Sequence, residues 1–122
     1  QQLKIIDHFV KEKHPGTKVI GCKTIRENNG LAYSSRNHLL TTKEKNIASK
    51  IFKLLTSKKN ELIKKKFTLY EIKKMIFNLG VNKIDYIEIL DINKLIKPYK
   101  RKKKYKIFIS YYLRATRLID NV

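Results

Sequence analysis

The segment with the clearest chemical potential is a polar loop that carries two hydroxyls beside a guanidinium. Ser34, Ser35 and Arg36 are consecutive, and Gly30 precedes them by four residues. Hydroxyls and successive backbone N–H groups can hold phosphate oxygens, and arginine matches those oxygens with a planar fork of donors. This Ser-Ser-Arg triplet, residues 34–36, therefore points to a site for a phosphate group.

A purely structural interpretation of the triplet stays open on the chemistry alone. Serine is a preferred N-cap of helices, because its side-chain oxygen accepts a hydrogen bond from a free backbone N–H group. Serine is also common in turns. The loop would then be a surface turn whose serines cap the helix that follows.

The histidines and the cysteine are too scattered for a metal site, which needs ligands clustered at set spacings. These residues are His8, His14, Cys22 and His38. A single cysteine excludes an internal disulfide framework and favours a reduced, cytoplasmic protein. We expect Cys22 to be a small buried residue and His8 to be a surface histidine.

Three carboxylates lie close together in the sequence at Asp85, Glu88 and Asp91. In a strand the first two would point to opposite faces, so a paired acid and base is not expected. Solvated charges at the edge of a sheet, or caps at strand ends, explain them better.

The net charge of +19 permits two interpretations. Lysine and arginine neutralise nucleic-acid phosphates, so a basic nucleic-acid-binding module is one function to consider. The other is compositional bias, because lysine far outnumbers arginine, whereas specific binders of nucleic acid rely on arginine for bidentate contacts. The lysine-rich residues 97–106 allow the same two interpretations, as a nucleic-acid patch or as a solvated connection between strands.

Hydrophobic periodicity and capping signals predict three helices. Apolar residues at helical spacing predict a helix over residues 2–13, ended by Pro15 and Gly16. Capping-box spacing between Thr41 and Glu44, and again between Thr68 and Glu71, predicts two further helix starts. Gly80 is placed to end the third helix in a left-handed conformation.

Segments rich in isoleucine, tyrosine and phenylalanine predict strands over residues 84–90 and 105–113, with a short third strand over residues 117–120. A further short strand is predicted over residues 18–22. The resulting fold class is α+β, with helices packed on a small antiparallel sheet of about three strands.

Four motifs, in order, resemble the pantothenate synthetase (pantoate–beta-alanine ligase) family. The longest is R-E-x-x-G-L-A-x-S-S-R-N over residues 26–37. The others are the Gln1-Gln2 pair, I-D-Y-I-E over residues 84–88 and T-R-L-I-D-N over residues 116–121. Together they span almost the whole chain. Arg114 stands where glycine is usual in the family, so a turn that differs is expected there.

The resemblance implies a two-step ligase that uses ATP and Mg²⁺. Pantoate would form pantoyl adenylate, and β-alanine would then displace AMP to give pantothenate. Ser34, Ser35 and Arg36 would hold the β- and γ-phosphates and act in catalysis. Tyr33 and Ile25 would contact the nucleotide, mainly through the backbone. Gln2 would bind pantoate, and Gln1 would support it.

The resemblance also implies a division of the chain and several partners. Residues 1–25 would be the end of a Rossmann-like nucleotide-binding domain, and residues 26–122 a lid domain that closes over ATP. The chain does not open with methionine, so we expect a piece of a larger enzyme that is inactive alone. Its partners would be pantoate, β-alanine and the N-terminal half of the enzyme, which would be a homodimer. Neither a membrane nor a nucleic acid is expected as a partner, although a non-catalytic remnant domain remains the other alternative.

Overall fold

Three helices accompany a three-stranded antiparallel sheet in the computed structural model, which describes residues 2–92 and 105–122. In chain order the elements are α1 Gln2–Lys13, a 3₁₀ helix Ser35–Leu39, α2 Thr42–Ile63, α3 Leu69–Asn78, β1 Lys83–Asp91, β2 Tyr105–Leu113 and β3 Thr116–Asn121. The predicted α+β class is confirmed. Within the described residues, no helix has the length and apolar character needed to cross a membrane.

Both predicted capping boxes form. The Thr41 hydroxyl accepts a hydrogen bond from the Glu44 N–H group, and the Glu44 carboxylate accepts one from the Thr41 N–H group at 2.7 Å. Thr68 and Glu71 repeat this exchange at the start of α3. Each box satisfies backbone donors that a helix start leaves free. Gly80 follows α3 with a φ of 104°, as predicted from its position.

The capping box of α3 makes stability depend on pH. Hydrogen bonds from the Thr68 side chain and backbone lower the pKa of Glu71. A lowered folded-state pKa contributes stability above the unfolded value, about 4.3 for glutamate, and loses it as the pH falls through the folded value. We expect Glu71→Gln to lower the urea midpoint at pH 7, and the difference from the parent chain to shrink below about pH 4. Urea titrations across this range check it; a difference independent of pH would contradict it.

The core lies between the sheet and the helices α2 and α3. Ile51 and Leu55 of α2 and Ile72 of α3 are almost completely buried, as are Ile107 and Ile109 of β2. Each apolar side chain of this size stabilises the fold by about 1.5–3 kcal/mol when fully buried. β2 is the central strand and pairs with β1 and β3, so its position is fixed on both edges.

A two-residue turn joins β2 to β3, since Leu113 pairs with Thr116. Arg114 in this turn has a φ of 48°, which is in the left-handed region that favours glycine. Its N–H group donates to the Asn82 side chain. The turn therefore keeps a conformation suited to glycine although arginine occupies the position.

Two sequence predictions are wrong. Residues 18–22 form no strand, because a strand needs a hydrogen-bonded neighbour and none lies beside them within the described part of the chain. Instead Gly21 packs against Leu3 of α1, whose side chain would lie 2.7 Å from an added Cβ atom. Cys22 is exposed rather than buried, because this segment lies outside the core. Gln1 and residues 93–104, with most of the lysine-rich stretch, fall outside the described residues.

Candidate functional site

The loop predicted ahead of the triplet is a small hairpin over residues 25–33. The Tyr33 N–H group donates to the Ile25 carbonyl at 3.0 Å, and the Glu27 N–H group donates to the Leu31 carbonyl at 2.8 Å. A tight turn closes the hairpin, with the Gly30 N–H group donating to the Glu27 carbonyl at 2.8 Å. The triplet thus follows directly from an ordered backbone ladder.

The turn of this hairpin is packed onto α2. Gly30 has a φ of 95°, and a Cβ atom there would lie 2.5 Å from the Phe52 ring. The Asn29 side chain accepts from the Leu31 N–H group at 2.8 Å, and the Asn29 carbonyl accepts from the Ser49 hydroxyl at 2.6 Å. Only glycine combines this backbone conformation with this close approach.

The triplet itself lies at the start of the 3₁₀ helix. The Ser34 Oγ atom accepts from the Arg36 N–H group at 3.2 Å, so the capping role left open by the sequence is present. The Ser34 hydroxyl proton stays available for a ligand, because a hydroxyl can accept and donate at once. All three side chains are exposed. Capping and anion binding are therefore compatible in one loop.

Asn37 directly follows the triplet, and its hydrogen bonds hold the C-terminal end of the triplet in place. It is 7% exposed, and its amide donates to the Glu27 carboxylate at 3.1 Å and to the Ala32 carbonyl at 3.0 Å. Its backbone N–H group donates to the Ser34 carbonyl at 3.0 Å. Sequence reasoning gave Asn37 no role beyond its place in the motif, since these contacts depend on the hairpin.

A cleft of about 690 Å³ lies between α1, the hairpin and the sheet, and it brings together four of the six site residues predicted from the resemblance. These four are Gln2, Tyr33, Ser34 and Arg36. Ser35 is exposed beside the cleft without lining it. Ile25 is 74% exposed and pairs with Tyr33 across the hairpin.

Two sheet cations that sequence reasoning missed, Lys106 and Arg117, also line the cleft. Lys106 contacts the Asn121 side chain, and Arg117 forms an ion pair with Asp85 at 2.8 Å. The Arg117 guanidinium lowers the pKa of Asp85, as expected of a structural ion pair rather than an acid or base. Arg36 makes no ion pair with any described residue, so its charge is available to a ligand.

Two other observations bear on the chemistry of the cleft. Burial, with a smaller contribution from Asp120, raises the pKa of Tyr111 well above its ordinary value, so this phenol stays neutral. Across residues 2–92 and 105–122, no three His, Cys, Asp or Glu side chains are grouped so that they could hold a metal ion. The described part of the cleft combines hydroxyl, amide and cationic donors with apolar side chains and the Asp120 carboxylate.

Comparison with known sequences decides the family. The family model described as pantoate-beta-alanine ligase matches residues 1–122, the whole chain. The chain belongs to the pantoate-beta-alanine ligase family. Its curated relatives include the pantothenate synthetase of Clostridioides difficile, 39% identical over 99% of this chain, and that of Endomicrobium trichonymphae, 36% identical over all of it. The chain spans 44% of the length of each of these two relatives.

Solved structures of pantoate-beta-alanine ligases share this architecture. Pantothenate synthetase from Thermus thermophilus matches with a TM-score of 0.79 at 23% identity, which shows the fold. The ligase from Francisella tularensis matches with a TM-score of 0.72 at 32% identity, and was solved in complex with beta-gamma ATP and beta-alanine. These matches cover 99% of this chain and 45% and 39% of the solved chains, respectively.

Proposed function

We propose that this chain is the C-terminal part of an ATP-dependent ligase that condenses pantoate and β-alanine to pantothenate. The observation that carries the proposal is the exposed triplet, whose Arg36 forms no ion pair with the described residues, at a cleft that Gln2 also lines. Family membership supplies the reaction class, and the cleft supplies donors suited to phosphate and carboxylate oxygens.

In the first step, the pantoate carboxylate attacks the α-phosphorus of ATP and pyrophosphate leaves. Ser34, Ser35 and Arg36 hold the β- and γ-phosphates and stabilise the negative charge that collects on the leaving group. Tyr33 and Ile25 adjoin the nucleotide through their backbone. Gln2, from the opposite wall, donates to pantoate and orients its carboxylate.

In the second step, the β-alanine amine attacks the acyl carbon of pantoyl adenylate, and AMP leaves. Within the described residues no three His, Cys, Asp or Glu side chains are grouped to hold a metal ion, so the proposal gives Mg²⁺ no cluster of protein ligands there. Mg²⁺ in nucleotide sites commonly binds phosphate oxygens and few protein groups.

The division into residues 1–25 and 26–122 is part of the proposal. No residue between Gln2 and Ile25 is buried, and the apolar residues Leu3, Ile6, Phe9 and Ile20 are between 46% and 73% exposed. An amphipathic helix gains most of its stability by packing this face against another element. We assign the N-terminal half of the same enzyme as the element that covers it, in a cytoplasmic homodimer, with residues 26–122 closing as a lid.

Complementation tests the function. We expect this chain, mixed with the N-terminal half of the Clostridioides difficile relative, to release AMP only when ATP, pantoate and β-alanine are all present. Neither half should do so alone, because each holds only part of the site. The control is the Clostridioides difficile enzyme split at the same point. An active control with an inactive mixture would refute the function, and AMP release by this chain alone would refute the division of the site.

A further inference from the structure

A second arginine of the motif, Arg26, lies in the hairpin, and both terminal nitrogens of its guanidinium are hydrogen-bonded. Arg26 donates from Nη1 to the Gly30 carbonyl at 3.0 Å and to Asp120 at 2.9 Å. It donates from Nη2 to Asp120 at 2.8 Å and to the Asn121 carbonyl at 3.0 Å. Its Cζ atom lies 3.9 Å from the centre of the Phe52 ring. Arg26 therefore cannot reach a phosphate without losing these contacts, and it is not a phosphate ligand.

The contacts of Arg26 join three parts of the chain. Asp120 lies 94 residues away in β3, and Phe52 lies in α2. The side chains of Arg26 and Asp120 are 18% and 14% exposed, so water screens the pair little. The Asn121 N–H group donates to the Asp120 carboxylate at 2.7 Å and fixes its orientation. The two parallel hydrogen bonds of an arginine–carboxylate pair also fix geometry, which a lysine cannot do.

Short hydrogen-bonded contacts in the hairpin connect the Arg26–Asp120 ion pair to the triplet. Arg26 pairs with Ala32 across the hairpin, and the Ala32 carbonyl accepts from the Asn37 side chain. Tyr33 and Asn37 bracket the triplet, and both are hydrogen-bonded to the hairpin or to Ser34. The triplet side chains are exposed, so their direction follows from this backbone.

We infer that Arg26 and Asp120 are positioning residues, whose ion pair holds the triplet at a fixed place against the sheet and so sets the affinity for the triphosphate. This inference rests on the proposed function, because it takes the triphosphate as the ligand of the triplet. The ion pair should affect the binding of ATP but not the binding of pantoate. Gln2 lies on α1, outside this hydrogen-bonded unit, so pantoate binding does not depend on the pair.

Arg26→Lys and Asp120→Asn in the complemented enzyme test the inference. Each should raise the KM for ATP on the order of tenfold and slow adenylation, with the KM for pantoate nearly unchanged, because a loosened triplet loses preorganised contacts to the triphosphate alone. Arg26→Met should raise the KM for ATP further than Arg26→Lys does, because lysine keeps the positive charge. Lys58→Met is the matched control. Lys58 also forms an ion pair, with Glu61 at 3.0 Å, and lies 4.9 Å from the centre of an aromatic ring, that of Phe67.

The outcomes separate this inference from the proposed function. Unchanged kinetic constants would overturn the inference and leave the proposed function standing. The same holds if the adenylation rate and both KM values worsen by the same factor, in step with the loss of stability. Hydrogen exchange on the 122-residue chain gives a second readout that needs no activity. The Tyr33 and Asn37 amides should exchange faster in Arg26→Lys than in Lys58→Met, while the core amide of Ile107 stays protected. Equal exchange of these amides in both variants would overturn the inference even if complementation failed.

Discussion

Replacing Arg36 by alanine should slow the adenylation step of the complemented enzyme by a factor on the order of 100 or more. Arg36 is exposed, lines the cleft and forms no ion pair with the described residues, so its charge is free to act on a ligand. Negative charge gathers on pyrophosphate as it leaves, and a fixed cation stabilises the transition state more than the bound substrate. Pyrophosphate release in a single turnover measures this step separately from the attack of β-alanine.

Arg114→Ala is the matched control for Arg36→Ala. Arg114 is also an exposed arginine, with its side chain 77% exposed, but it lies in the turn between β2 and β3 and does not line the cleft. We expect the adenylation rate of Arg114→Ala to stay within about twofold of the rate of the parent enzyme. Arg36→Lys should recover part of the rate, since it keeps the charge but loses the planar fork. An unchanged rate in Arg36→Ala would remove Arg36 from the catalytic set.

Gly30→Ala should destabilise the chain by about 2–4 kcal/mol. A φ of 95° is strained for alanine, and the added Cβ atom would lie 2.5 Å from the Phe52 ring. Both effects act at the turn that leads into the triplet, so the midpoint of unfolding and the KM for ATP should change together. Urea unfolding followed by circular dichroism gives the free energy of unfolding.

A double variant separates the two causes of the Gly30→Ala effect. Phe52→Leu replaces the ring that an alanine at position 30 would meet with a smaller side chain, so Gly30→Ala should cost less in that background. Gly16→Ala is the control, because an added Cβ atom there meets nothing within 4 Å. It should change stability by less than about 0.5 kcal/mol. If Gly16→Ala and Gly30→Ala changed the free energy of unfolding equally, the close approach of Gly30 to Phe52 would make no difference to stability.

Local signals in the sequence predicted the regular elements well. Both capping boxes, the end of α3 at Gly80 and the three strands of the sheet appear where composition and spacing placed them. These features depend on contacts between residues close in sequence, or on side-chain preferences for a pleated surface. Residues 18–22 show the limit of this reasoning. Their composition favours a strand, but a strand also needs a hydrogen-bonded neighbour, which propensity cannot supply.

The α+β class, the family and the presence of two hydroxyls and a guanidinium in one loop all follow from the order of the amino acids. Only the folded chain shows that Arg26, in the same motif as Arg36, is bound by Asp120, while Arg36 forms no ion pair with the described residues. The two arginines have the same chemistry, and only the approach of β3 to the hairpin distinguishes them. That approach depends on the packing of α2 and the sheet across 94 residues of chain, and no local spacing encodes it.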